Sequence, residues 1–296
     1  MYRIKSLRQL RTQLTGVRLS AADTSLWSIG ATINERARIA LNDALGNYPI
    51  TVRGMYHSVV VSAGEPIVLP PNIKSVVALR AKSSSMTAPI ELTSIRHVPT
   101  AMTNLLYINH LPFVGISGSG AEMETIEEVG DFTKDLALVN SINATDITVD
   151  VSGGIPDTVW VAPGYFELSP PPHINTIQRE VVQFFGVSSS GFFKVVRGVI
   201  GTPISWAEGS VVSCARPLPP AAEGVIQKAA QANMYEFWMA HQAQYDQYTA
   251  AAGIQQLDIG ALLALIRSYQ ADADRRYKKL KVIKIPPVTQ VRRRAR

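Results

Sequence analysis

The sequence predicts an α+β protein: a helical body made from its N- and C-terminal segments, with a large β-sandwich or barrel-like region inserted between them. Three observations carry this expectation. Of the 18 prolines, 16 lie in residues 49–220, none precedes Pro49 and none falls between Pro220 and Pro286. Proline breaks helix interiors and favours turns and strand edges, so its placement separates a strand-and-loop middle from two flanks free to be helical. In the flanks, apolar residues recur every three or four positions; in the middle, short β-branched and aromatic runs alternate with turn residues. The expected boundaries are residues 1–48 (N-terminal helices), 49–220 (mainly β), 221–285 (a C-terminal helical hairpin) and 286–296 (a basic extended arm).

The first flank is read residue by residue. Ser20 followed three positions on by Asp23 resembles a capping box, and Leu26, Ile29, Ile33, Ala37, Ala40, Leu41 and Leu45 then line one helical face. Gly46 is the expected end cap and Pro49 the stop. Upstream, Ile4, Leu7, Leu10 and Leu14 predict a shorter basic amphipathic helix. Its narrow stripe without aromatics suits packing on a neighbouring helix better than lying on a membrane.

Two helices are predicted in the second flank. One carries Ile226, Ala230, Met234, Phe237, His241, Tyr245 and Tyr248; Gly253 interrupts, and the other carries Leu262, Ile266, Tyr269, Ala273, Tyr277 and Leu280. The simplest arrangement is an antiparallel hairpin. Tyr235, Trp238, Tyr245, Tyr248, Tyr269 and Tyr277 form an aromatic set suited to a core or a subunit interface. Between the flanks, strands are expected at 58–62, 76–79, 147–151, 158–161, 181–185, 192–196 and 210–213, with 181–196 a hairpin turning at 186–191.

Composition excludes several classes. A hydrophobic fraction of 46% against 18% charged residues excludes a wholly disordered chain. Apolar runs such as 261–266 are too short to cross a bilayer, and Arg3, Lys5, Arg8, Arg11 and Arg18 stand where a signal peptide would be apolar, so a soluble, unsecreted protein with no membrane partner is expected. The single cysteine, Cys214, excludes an intramolecular disulfide and a multi-thiolate zinc site, and is expected as a buried thiol. His57, His97, His110, His173 and His241 are never closer than thirteen positions, so no metal site is expected from local spacing.

No catalytic constellation emerges either. The run GISGSG at 115–120 lacks the serine placement of a nucleophile elbow and the Lys-Ser/Thr ending of a phosphate loop. The dense acids Glu122, Glu124, Glu127, Glu128, Asp131 and Asp135 read as a solvated loop in which mutual exposure relieves repulsion. The expectation is a non-enzyme without cofactor, metal or catalytic residues.

Charge is concentrated at the ends. The formal net charge is +6, yet residues 1–18 contribute +5 and residues 275–296 contribute +10, so the remainder is acidic. Arg275, Arg276, Lys278, Lys279, Lys281, Lys284, Arg292, Arg293, Arg294 and Arg296 have no interleaved acid, and Pro286-Pro287 favours an extended last stretch. Such an arm suits an acidic partner, whether phosphate backbone or acidic protein.

Several motifs then point in one direction. A helical N-terminal segment, NYP at 47–49, a strand, and GEPIVLPPNIKSVVALR at 64–80 together resemble the opening of bacteriophage head-tail connector proteins (adaptor, head-completion or neck proteins). The paired C-terminal helices with a trailing arm are similar to the same family, and EVVQFFGV, VVRGVIGT and WAEGSVV within 180–212 resemble a β module of phage virion proteins. The resemblance implies a structural virion protein at the capsid vertex or neck, assembled in the host cytoplasm. It implies a homo-oligomeric ring of about twelve copies that binds portal and tail or neck proteins and lets DNA pass through its bore. Its portal-binding arm would be Lys278, Lys279, Lys281, Lys284, Arg292, Arg293, Arg294 and Arg296, and its subunit-interface candidates the aromatic set above. Two other classes fit parts of the sequence: a nucleic-acid-binding protein using its basic termini, and a polysaccharide-directed tail protein holding the acidic cluster with Trp160 or Trp206 in a cleft.

Overall fold

A computed structural model of the chain describes residues 3–15, 24–60, 65–69, 71–81, 89–99, 104–109, 120–152, 164–171, 178–252 and 255–280. These fall into two compact units, one drawn from residues 1–50 and 130–280 and the other from 51–129.

The chain begins with strand β1 (Arg3–Ser6), followed by helices α1 (Leu7–Thr15) and α2 (Thr24–Asn47). Ile4 is therefore in a strand, not in the helix its spacing predicts. The reason is a capping box: Gln9 N–H donates to Ser6 Oγ at 3.2 Å, and Ser6 N–H donates back to Gln9 Oε1 at 3.4 Å. That start fixes the first helical residue at Leu7 and buries Leu7 and Leu10 completely. Along α2 the expected stripe of Ile33, Ala37, Ala40, Leu41 and Leu45 is buried, and the helix ends two residues before Pro49. Its expected cap, Ser20 with Asp23, lies outside the described residues.

Residues 51–129 form two antiparallel sheets. Strands β2 (Thr51–Val60), β3 (Ile67–Val68), β4 (Ile73–Ala81), β5 (Ile90–Glu91), β6 (Ile95–Pro99), β7 (Asn104–Ile108) and β8 (Gly120–Glu128) are ordered β2-β8-β4-β5 in one sheet and β3-β7-β6 in the other. The acidic run expected as a loop is thus largely β8, an internal strand. Its alternation was legible: Ala121 and Met123 point inward while Glu124 points outward to Arg53 (3.1 Å) and Arg80 (3.7 Å). The same parity places Thr125 and Glu127 inward, and Glu127 is buried with Tyr56 Oη donating to its Oε2.

The chain returns to the first unit with β9 (Leu136–Ala137), β10 (Thr148–Asp150), β11 (Gly164–Ser169), β12 (Glu180–Phe184), β13 (Gly186–Val187), β14 (Gly191–Phe193), β15 (Val196–Ile200) and β16 (Val211–Leu218). The larger sheet runs β1-β16-β11-β12-β15, with β9 also on β16, and a small sheet runs β10-β14-β13. The expected hairpin at 181–196 exists in outline, but each arm is divided between the two sheets. β13 meets β14 while β12 meets β15, and Lys194, at φ 53°, marks the switch. Gly191 is required there because a Cβ would sit 2.2 Å from the Val149 carbonyl oxygen. Phe166, Phe184 and Phe192 form the apolar core, with ring centroids 4.7–5.9 Å apart. The expected strand at 158–161 lies outside the described residues.

Three further helices complete this unit: α3 (Pro220–Ala240), α4 (Gln242–Ala252) and α5 (Ile259–Lys279); the first helix expected in this flank, through Tyr248, is instead broken at His241, whose backbone leaves the helical region. The expectation of a helical body with one inserted β region is overturned. The protein consists of several antiparallel sheets with five helices among the described residues, and the terminal helices share their unit with the sheet of residues 130–218. Ile4 pairs with Pro217, a partner more than two hundred positions away. Proline placement marks where helices stop, but it says nothing about which strands pair, and a four-residue strand carries no period of its own.

Candidate functional site

The C-terminal helices carry those predicted site residues that lie within the described part of the chain. α3 starts at Pro220, where a missing N–H costs nothing, and Glu223 in its first turn pairs with Lys5 at 2.9 Å. α5 starts at Asp258, whose Oδ1 accepts the Ala261 N–H at 2.7 Å, and ends with Arg276, Lys278 and Lys279 in its last turn, the sign that its C-terminal dipole favours. The two helices run antiparallel: Arg276 lies against Gly224, and Tyr269 stacks on Tyr235 at 5.8 Å.

The aromatic set divides by environment. Trp238 and Tyr245 are buried within their own chain, with ring centroids 5.9 Å apart, and Tyr245 Oη accepts the Leu257 N–H, which fixes the segment leading into α5. Tyr235 and Tyr269 are half-buried on the α3–α5 surface. The side chain of Tyr248 lies outside the described residues.

Tyr277 anchors the end of α5. Its ring meets Tyr48 edge-on at 5.3 Å, its hydroxyl donates to the Pro49 carbonyl, and Tyr48 donates to Asp274 at 2.7 Å. Burial, the donated bond and the Asp274 charge together push the Tyr48 phenol up to about 12, so it remains a donor. This clamp joins the last turns of α5 to the NYP segment after α2. Lys278 and Lys279 stand exposed beyond it, while Lys281, Lys284, Arg292, Arg293, Arg294 and Arg296 lie outside the described residues.

An open groove of about 490 Å³ lies between α3 and α5. Asp272 organises its floor, accepting from Arg275 Nη2 at 2.5 Å and from Arg276 Nε at 2.8 Å. These bonds, that from Arg275 foremost, hold the Asp272 carboxyl below its ordinary range. Lys228 closes the side, with Nζ 4.4 Å above the Tyr269 ring and 3.1 Å from Gln231 Oε1. Sequence reasoning found Arg275 and Arg276 as members of a charge run but missed Lys228, the single cation of a helix that also carries Glu223 and Glu236. Only the helix pairing reveals it.

Two carboxylates inside the same unit contrast with this surface. Glu180, fully buried, accepts from Arg197 Nε (2.7 Å) and Nη2 (2.8 Å), Trp206 Nε1 (2.9 Å) and Gly198 N–H (2.9 Å). Burial alone would raise its pKa, but these donors outweigh it and hold the carboxyl below its ordinary value. Glu167 is also buried, yet Arg179 approaches only to 3.7 Å and its Oε2 accepts no hydrogen bond; burial pushes this carboxyl up. Trp206 is therefore committed to the interior, and Trp160 lies outside the described residues. Cys214 is buried, as expected. Among the described residues, no group of three or more His, Cys, Asp or Glu is placed to hold a metal ion, and no helix is long and apolar enough to cross a membrane.

No protein-family model, curated protein or solved structure matches this chain.

Proposed function

We propose that the chain is a structural virion subunit that forms a homo-oligomeric ring between the portal of a phage capsid and the tail, with a passage for DNA. The basic stretch beginning at Lys278 attaches it to the portal. One observation supports this most directly. The last turn of α5 is clamped to the segment after α2 through Tyr48 and Tyr277, and from that fixed root the chain continues with six more cations and no acid. A root held in place, followed in sequence by a run of cations, suits an arm that attaches to an acidic partner. The motifs at 47–49 and 64–80 and the resemblance they carry supply the identity of that partner. Imaging assembled particles with the subunit tagged tests the proposal. A closed ring of tagged density at the capsid vertex is expected; a monomer elsewhere on the particle, or none in it, would overturn it.

A further inference from the structure

We propose that the groove between α3 and α5 is a sequence-independent site for the phosphate backbone of double-stranded DNA, distinct from the C-terminal arm. The groove contains three cations, Lys228, Arg275 and Arg276, and one anion, Asp272, a net charge of +2. None of the three cations is free to swing at random. Asp272 fixes both guanidinium groups through one nitrogen each, which leaves further N–H donors on each for a second oxyanion, and the Tyr269 ring with Gln231 holds Lys228. Gly224 strengthens this point. Glycine weakens a helix interior, and at this position a Cβ would approach Arg276 Nη1 to 3.3 Å, so its absence leaves that guanidinium its seat against α3.

The lining selects among polyanions. Ser268 and Ala271 are small, which allows a backbone to approach α5 closely, and no large aliphatic side chain lines the groove. A protein partner would be met by an apolar centre, whereas protein–DNA interfaces are polar and strongly positive. Base readout by stacking is closed off, because Lys228 covers one side of the Tyr269 ring and Tyr235 stacks against it. Lys279, exposed one turn beyond Arg275 on the same face of α5, extends the positive track.

The test uses the full-length protein, a labelled duplex of mixed sequence and a salt titration followed by fluorescence anisotropy. Each phosphate contact contributes about 0.9 to the slope of log K against log salt, so Lys228→Gln with Arg275→Gln is expected to make the slope shallower by about 2. The affinity at low salt should fall at least about tenfold while the thermal midpoint holds. Arg275→Gln alone, at a mostly exposed position, gives about half that change in slope and serves if the double variant folds poorly. Duplexes of different base composition should bind equally, and a single strand no better than a duplex. The proposal is overturned if removing residues 286–296 abolishes duplex binding while the groove substitutions leave it intact. It is equally overturned if poly-glutamate binds as tightly as the duplex and is lost with the same substitutions, which would make the occupant an acidic protein. Ring assembly is scored separately, so failure here leaves the connector reading standing.

Discussion

Arg197 with Glu180 and Arg276 with Asp272 are the same chemical pair in two settings. In the sheet, both partners are almost fully buried (5% and 0% exposed), and every strong donor around Glu180 is already used. On α5, Arg276 is half exposed (49%), and its carboxylate is shared with a second arginine. The first pair fixes where two strands and the Trp206 segment meet. The second orients cations and leaves donors over. Burial thus decides which charges hold the fold and which remain available to a partner.

The largest effect that separates the two is expected in the interior. Glu180→Ala strands Arg197 and leaves Trp206 Nε1 without its acceptor, so chemical denaturation should show a loss of about 3–5 kcal/mol, the range for breaking a buried pair. Duplex and portal binding by whatever remains folded should be unchanged.

A smaller effect of opposite sign is expected at the other buried carboxylate. Because the folded state raises the Glu167 pKa, its favourable contribution is full below the unfolded value and is lost as pH rises through the folded one. Glu167→Gln should therefore stabilise the protein at neutral pH by about 1 kcal/mol and confer no gain in acid. For Glu180, whose pKa is lowered, the contribution is present above the unfolded value and is lost as pH falls through the folded one. Thermal melts of the two variants across acid and neutral pH should diverge from wild type in opposite directions. If they move together, the contrast between the two carboxylates is wrong.

At the surface the expected stability change is smallest. Asp272→Asn leaves the thermal midpoint within error, because an exposed ion pair is screened by solvent and salt. The same substitution raises the groove charge from +2 to +3, so duplex affinity should increase and its salt slope steepen. A drop in affinity would show that orienting the arginines matters more than the charge Asp272 removes.

How far the sequence revealed this arrangement depends on whether the signal is local. The buried stripe of α2, the helical character of the C-terminal flank and strands β10, β12 and β16 are set by residue spacing within single segments, whereas β11 and the division of 192–196 between β14 and β15 are not. The division into two units is not, because it depends on which strands pair. The four residues of β1 join a sheet whose other members begin beyond position 135. Ser6 and Gln9 carried the one local signal for that junction, a Ser-x-x-Gln box just after a short polar-apolar alternation. The acidic run at 122–128 misleads because its charge density masks the alternation that puts Ala121, Met123, Thr125 and Glu127 on one buried face. In the candidate site, the basic end of α5 is legible as composition, whereas Lys228, Gly224 and Tyr48 each meet α5 only through the pairing of segments distant in sequence.

If the fold ends at the clamp and the chain beyond it serves as an arm for the portal, the arm should be dispensable for folding and needed for attachment. Recovery of full-length protein and of protein lacking residues 286–296 on empty, DNA-free portal complexes, at low and high salt, measures this. Equal thermal midpoints are expected, with clear loss of recovery for the truncated protein at low salt and a difference that shrinks as salt screens the arm. Equal recovery of both proteins at low salt would contradict the proposed role of the arm.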